Sequence, residues 1–369
     1  MEEYGNYNPN EAGNGQQYNN NEVLPEPTGS KVHKDVKAVN IVFLAIVLLP
    51  QILIELGVGN LIEANYTANL IFSQAVYVAP VLVYLFFFKK SAKPCRFKKI
   101  KISDILLCLL MYICMYPVLL LLNAVSMLYS VNRIGNVVMS ISSEIPLAVG
   151  ILVVALIPAF CEELTYRGVF YNTYRETNPL AAIFLSGALF GLLHGNLNQI
   201  TYAVVLGCFF ALVVEATDSI FSSMFVHGLV NSFSTLLIYL LPKAIQYVKD
   251  LLEEAKAAGD TQTIDMLTGM IGSEDLSLES SYEAASAMSA DQVMSLIMAY
   301  LFPAAIGGFL AFMLFRFVAK RNGRWEYICD IFKHPRKNGK LFTWPLVVDL
   351  ILLAGLIVLN ELSLRGILN

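Results

Sequence analysis

Nine stretches of the chain, at about 38–58, 68–88, 104–126, 145–174, 179–195, 198–216, 219–241, 295–318 and 341–361, are almost continuously apolar. A backbone in lipid must satisfy its hydrogen bonds internally, which only helices and closed barrels achieve. About 20 apolar residues of helix cross a hydrocarbon core about 30 Å thick. Strict alternation of apolar and polar residues is absent, which argues against a barrel. The expected fold is therefore an all-α polytopic membrane protein of about nine transmembrane helices, lodged in the cell membrane. With 56% hydrophobic and 15% charged residues, the chain falls well outside the usual soluble range of roughly 45–50% and about 25%.

What lies between the apolar stretches sets the organisation. Residues 1–35 are rich in Asn, Gly and Gln and poor in aliphatic side chains, the signature of a disordered tail. No cleavable signal is visible, because the first apolar run is long enough to span. Basic residues cluster before the first stretch (Lys31, Lys34, Lys37), after the second (Lys89 to Lys101) and after the eighth (Arg316 to Lys340). With nine crossings all three clusters fall on one side, and the excess of Lys and Arg on cytosolic loops makes that side, with the N-terminus, cytosolic. The expected parts are then the tail, N-terminal helices at 36–130, a core at 145–241, an acidic extracytoplasmic insertion at 242–294 with a helix near 249–258, and C-terminal helices at 295–361. The net charge of −4 offers no field for nucleic acid. Six cysteines without paired spacing are expected to be free thiols.

Ionisable side chains inside spans cost at least about 2.5–3.5 kcal/mol at helix centre and are functional candidates by default. Three clusters qualify. The first is Cys161-Glu162-Glu163-Leu164-Thr165-Tyr166-Arg167-Gly168, deep in the fourth stretch. Glu163 and Arg167 stand at i and i+4, the favourable order for a same-face ion pair. Glu162 is about 100° round the helix, aligned with Tyr166, and is left free to face another helix. Pro158, four residues earlier, removes a backbone hydrogen bond and can bend the helix there. The second cluster surrounds His194 and the third pairs His227 with Asn231 at i and i+4. Only four histidines occur in the chain, and these are the two outside polar segments. The blander alternatives are an interfacial ion pair and satisfied structural histidines.

Depth arithmetic at about 1.5 Å per residue brings the clusters to one layer. There, Glu162 suits a general base acting on water, with His194 holding and polarising that water. His227 and Asn231 suit hydrogen-bond donation to an oxyanion. Glu162, His194 and His227 are also plausible zinc ligands with an open position for water, although no His-Glu-x-x-His helix is present.

Glu162-Glu163-x-x-x-Arg167-Gly168, Phe190-x-x-x-His194 and His227-x-x-x-Asn231, in this order on successive helices, resemble the three motifs of the CPBP family. That family comprises CAAX-type prenyl endopeptidases and bacteriocin-processing or immunity-related membrane proteins, also called the Abi family. The resemblance covers residues 145–241 and extends to the eighth stretch. It implies an intramembrane endopeptidase open toward the cytosol, with Glu162 as base, His194 as its partner on the water and His227 with Asn231 as oxyanion stabilisers. Glu163, Arg167 and Tyr166 would support them. Many members are described as metalloproteases; here metal-free glutamate catalysis is expected ahead of zinc, and no cofactor is assigned. The expected partners are the lipid bilayer and a peptide or protein tail entering from the cytosolic side. Two rivals are a non-catalytic scaffold or bacteriocin-immunity factor that binds a peptide in the same cavity, and a transporter using the buried charges as an ion path.

Overall fold

The computed structural model describes residues 29–58, 66–87, 95–130, 145–271, 288–335 and 339–367. The tail expected at 1–35 falls outside them as far as residue 28. Among the described residues every regular element is a helix: α1 Gly29–Glu55, α2 Tyr66–Phe87, α3 Ile102–Ser126, α4 Leu147–Tyr174, α5 Pro179–Leu192, α6 Leu197–Thr217, α7 Ile220–Ala258, α8 Thr261–Ile271, α9 Ala290–Arg321, α10 Trp325–Lys333 and α11 Trp344–Leu364. Eight of these are long and apolar enough to cross a membrane. The fold class expected from the apolar stretches is the one observed. All six cysteines are unpaired.

One of the nine stretches behaves differently from a simple span. The stretch at 179–195 forms a helix of 14 residues, about 21 Å at 1.5 Å per residue, and then turns. His194 N–H and Gly195 N–H donate to the carbonyls of Gly191 and Leu192 at 3.1 Å each. Gly195 adopts φ +67°, a left-handed conformation that ends helices and that glycine takes without a Cβ penalty. Asn196 then caps α6 by accepting from Asn198 N–H at 2.8 Å. His194 thus lies in the α5–α6 turn rather than within a helix.

The α5–α6 hairpin is unusually close. A Cβ added at Gly187 would lie 2.8 Å from the Cys208 backbone nitrogen, one at Gly191 2.8 Å from that of Val204, and one at Gly207 2.7 Å from the Gly187 Cα. Spans gain no hydrophobic drive from lipid and associate where small residues let backbones approach. Gly187 and Gly191, four apart, supply such a strip.

The basic clusters converge on one end of the bundle. Lys37 lies over the Trp344 ring at 6.0 Å, Lys98 pairs with Asp218, Lys101 donates to Asn322 at 3.1 Å, and Arg321 lies 3.9 Å from Asp104. At the opposite end Asn360 donates to the Gly195 carbonyl at 2.9 Å and Arg365 to the Tyr129 carbonyl at 2.7 Å. Beyond that end, α7 runs on to a total of 39 residues, about 58 Å, nearly twice the hydrocarbon core. The helix expected near 249–258 is this extension. It packs against α8 through a small cluster of Leu252 and Leu267 with Ile245, Val248 and Ile264.

Because the Gly187 Cβ would meet backbone, which cannot give way, Gly187→Val is expected to cost about 1–3 kcal/mol, the usual overpacking range. Thermal unfolding in detergent should show the loss, while Gly355→Val, at a position with nothing within 4 Å, should leave the midpoint near that of the parent.

Candidate active site

The helix that carries Glu162 is not wound evenly. In α4 the α-helical piece Ile157–Glu163 lies between wider π-helical pieces, Ile151–Leu156 and Leu164–Tyr171. Pro158 has no N–H to give to the preceding turn, and such wide turns recur at functional sites. Side chains bond to carbonyls along this winding. Thr165 Oγ1 donates to the Cys161 carbonyl at 2.8 Å, and Asn172 Nδ2 donates to those of Arg167 and Gly168 at 2.8 and 3.2 Å.

Glu163 and Arg167 are both fully buried, and Arg167 Nη1 donates to Glu163 Oε1 at 2.8 Å. Arg167 Nη2 donates to the Gly207 carbonyl at 2.7 Å, and its guanidinium carbon lies 4.7 Å from the Phe190 ring centre and 5.1 Å from that of Phe210. Glu163 has a second partner that the sequence reading did not give it: His227 Nδ1, at 3.0 Å. A carboxylate paired with arginine is acceptor-only, so the proton in this bond sits on His227 Nδ1. His227 Nε2 is thereby aimed at Glu162 Oε2, 3.8 Å away. The imidazole is stacked on Phe210 at 5.0 Å and 23° and touched edge-on by Phe190 at 5.5 Å.

Glu162, His194, His227 and Asn231 line one cavity of about 350 Å³. Glu162 Oε2 has no hydrogen-bond partner there. His194 Nδ1 is bonded to its own Phe190 carbonyl at 2.8 Å, which leaves Nε2 free. Gln74 of α2, Gln199 and Tyr202 of α6, and Ser234 and Thr235 of α7 complete the polar part of the wall. Tyr166, aligned with Glu162 on the helical wheel, is not in that wall. It is 1% exposed, its hydroxyl donates to the Leu189 carbonyl at 3.3 Å, and it helps to fix α5.

Among the described residues no three His, Cys, Asp or Glu side chains converge to hold a metal ion. Glu162 Oε2 and His227 Nε2 lie 3.8 Å apart, a separation two ligands of one zinc ion can have, but His194 is not grouped with them. As arranged, the three residues do not form a three-ligand site.

From His227 the lining runs along α7 through Asn231 and Thr235 to Ile238, and from Glu162 back along α4 to Val153, away from the basic end. Toward the basic end Phe170, Tyr171 and Tyr174 are wholly buried. Sequence reasoning missed Phe210, Gly207 and Glu215. Phe210 and Gly207 carry no chemical signal of their own. Glu215 does, being an acid in an apolar stretch by the same rule that singled out Glu162.

These features define a polytopic, all-helical membrane protein with a carboxylate–histidine site in an internal cavity. The profile described as "Type II CAAX prenyl endopeptidase Rce1-like" matches residues 144–233, so the resemblance to the CPBP family is borne out over that segment. The protein named "Putative membrane peptidase YdiL" of Bacillus subtilis (strain 168) is 26% identical over 97 residues, 26% of this chain. The chain spans 39% of that relative's length. No solved structure matches significantly.

Removing Arg167 leaves a carboxylate buried and unpaired, which typically costs about 3–5 kcal/mol. Arg167→Met should therefore lower the thermal unfolding midpoint in detergent sharply, and Glu163→Gln combined with Arg167→Met should recover part of the loss. Equal midpoints for parent and Arg167→Met would contradict the pairing.

Proposed function

We propose that this protein is an intramembrane endopeptidase that hydrolyses a peptide bond in a membrane-associated peptide or protein, with its N-terminus in the cytosol. The observation that carries the reading is the relay from Arg167 through Glu163 and His227 to Glu162, ending in a cavity. A buried carboxylate that orients an imidazole is an arrangement used repeatedly for hydrolysis. The match of residues 144–233 to a prenyl endopeptidase profile and the peptidase name of the bacterial relative point the same way.

In this reading one water lies beside Glu162, close enough to touch His227 Nε2 as well, since single waters bridge polar groups at this separation. His194 Nε2 holds it from the other side. Glu162 takes one proton from the water as its oxygen attacks the peptide carbonyl carbon. The carbonyl oxygen becomes an oxyanion and accepts hydrogen bonds from Asn231 Nδ2 and from the His227 ring that Glu163 orients. Collapse of the intermediate breaks the C–N bond, and the departing amine takes the proton back from Glu162. The role of Glu163 and Arg167 is to hold the His227 ring in place.

Purified protein on a membrane-peptide library should lose cleavage with Glu162→Gln and Glu162→Ala; equal activity in parent and variants would remove the catalytic role and favour a peptide-binding scaffold. Loss of one oxyanion donor typically costs about 10² to 10³ in rate, so Asn231→Ala should lower kcat by that order with a much smaller change in KM. Glu163→Gln should likewise act on kcat rather than KM. Cleavage should withstand chelators, and about one equivalent of zinc lost together with activity would overturn the metal-free step.

A further inference from the structure

Helices α9 and α10 enclose, with α3 and α6, an apolar groove of about 450 Å³ that shares no lining residue with the Glu162 cavity. Its walls follow from sequence spacing. On α9 they are Gly308, Ala311, Phe312 and Phe315, and on α10 Trp325, Ile328, Cys329 and Phe332, each set at i, i+3, i+4 and i+7, the spacing of one apolar helix face. The next position of each stripe, i+8, is a base: Arg316 on α9 and Lys333 on α10. Lys333 lines the groove, and the Arg316 guanidinium carbon lies 5.5 Å from the Trp325 ring centre.

Among the described residues neither base has an ion-pair partner. Of the two acids on α10, Asp330 is bonded to His334 at 2.9 Å, and Glu326 stands two turns away from Lys333. Gly308 and Met115, at the inner end of the groove, lie about 20 Å from the basic ends of α9 and α3 at 1.5 Å per residue. That depth matches one leaflet of a bilayer about 40–45 Å thick with its headgroups. Phe312 and Phe332 are half-exposed, so the groove opens to the surrounding lipid. A recess of this kind, with two unpaired cations at its rim, is complementary to a hydrocarbon chain that ends in negative charge. An unwound polypeptide would instead bring its N–H and C=O groups against walls that cannot pair them.

We propose that this groove binds an acyl chain of an anionic phospholipid from the leaflet at the basic end, with the lipid phosphate on Arg316 and Lys333. Basic pockets between spans capture anionic headgroups by the same attraction. Helix α10 is then a clamp at the interface: its apolar stripe covers the chain, and Trp325 sits at headgroup level, where tryptophan is favoured. The proposal stands independently of the protease reading.

The test reads binding and needs no turnover. The chain has two tryptophans, Trp325 and Trp344, so the full-length Trp344→Phe variant in phosphatidylcholine vesicles reports on the groove alone. Phosphatidylglycerol brominated along its acyl chains, at a small mole fraction, should quench Trp325 at about a tenth of the concentration that brominated phosphatidylcholine requires, since each basic residue at an anionic surface is worth about fivefold. Arg316→Gln and Lys333→Gln should each lower that preference about fivefold, both lipids being compared within one variant because Arg316 touches the fluorophore. Gly308→Leu, whose Cβ meets only Val118 at 3.5 Å, should fill the inner end and weaken quenching by either lipid. Equal quenching by the two lipids, or a preference that survives the Arg316→Gln, Lys333→Gln double variant, overturns the proposal. Quenching relieved by an isoprenylated peptide but not by excess unbrominated phosphatidylglycerol overturns it as well and assigns the groove to a substrate's tail.

Discussion

A carboxylate removed from water must be neutralised where it stands, and Glu163 is the group whose neutralisation arranges the rest of the core. Its partner Arg167 is equally buried, and a guanidinium so placed needs acceptors and polarisable surfaces on every side. It finds the Gly207 carbonyl and the faces of Phe190 and Phe210. The first contact requires α6 to approach α4 closely, and the second fixes α5 and α6 together. His227 then completes the coordination of Glu163 from α7. Four helices are thus positioned by one ion pair, and the same pair aims an imidazole at Glu162.

The uneven winding of α4 belongs to the same problem. Pro158 interrupts the backbone ladder, and the π-helical turns on either side rotate the glutamates relative to what even winding would give. Asn172 and Thr165 compensate the carbonyls that result. Flexibility is not needed to explain the helix. Both side chains serve the second π-helical piece.

Charge is distributed with a similar economy outside the site. Glu215 draws three arginines into one buried knot at the basic end, a place where a network is favoured over isolated pairs because every member keeps a partner. The opposite end has no such knot among the described residues, and there the cavity runs on.

The membrane fold and the existence of three polar clusters were legible in the sequence, because charge in an apolar stretch is costly enough to stand out and because lipid permits only helices. The pairing of Glu163 with Arg167 was legible for the same local reason, being set by helical spacing alone. Tertiary structure decided what depends on contacts between distant segments. The glycines Gly187, Gly191 and Gly207 bring α5 and α6 into backbone contact, while Gly195, in the left-handed conformation, ends the fifth helix and leaves His194 in a turn. The claim of His227 on Glu163 joins residues 64 positions apart, and no periodicity reports it. The direction of the cavity was hidden too: it follows from which end of the bundle is filled by aromatic rings and the Glu215 knot, and composition does not say where side chains far apart in sequence will meet.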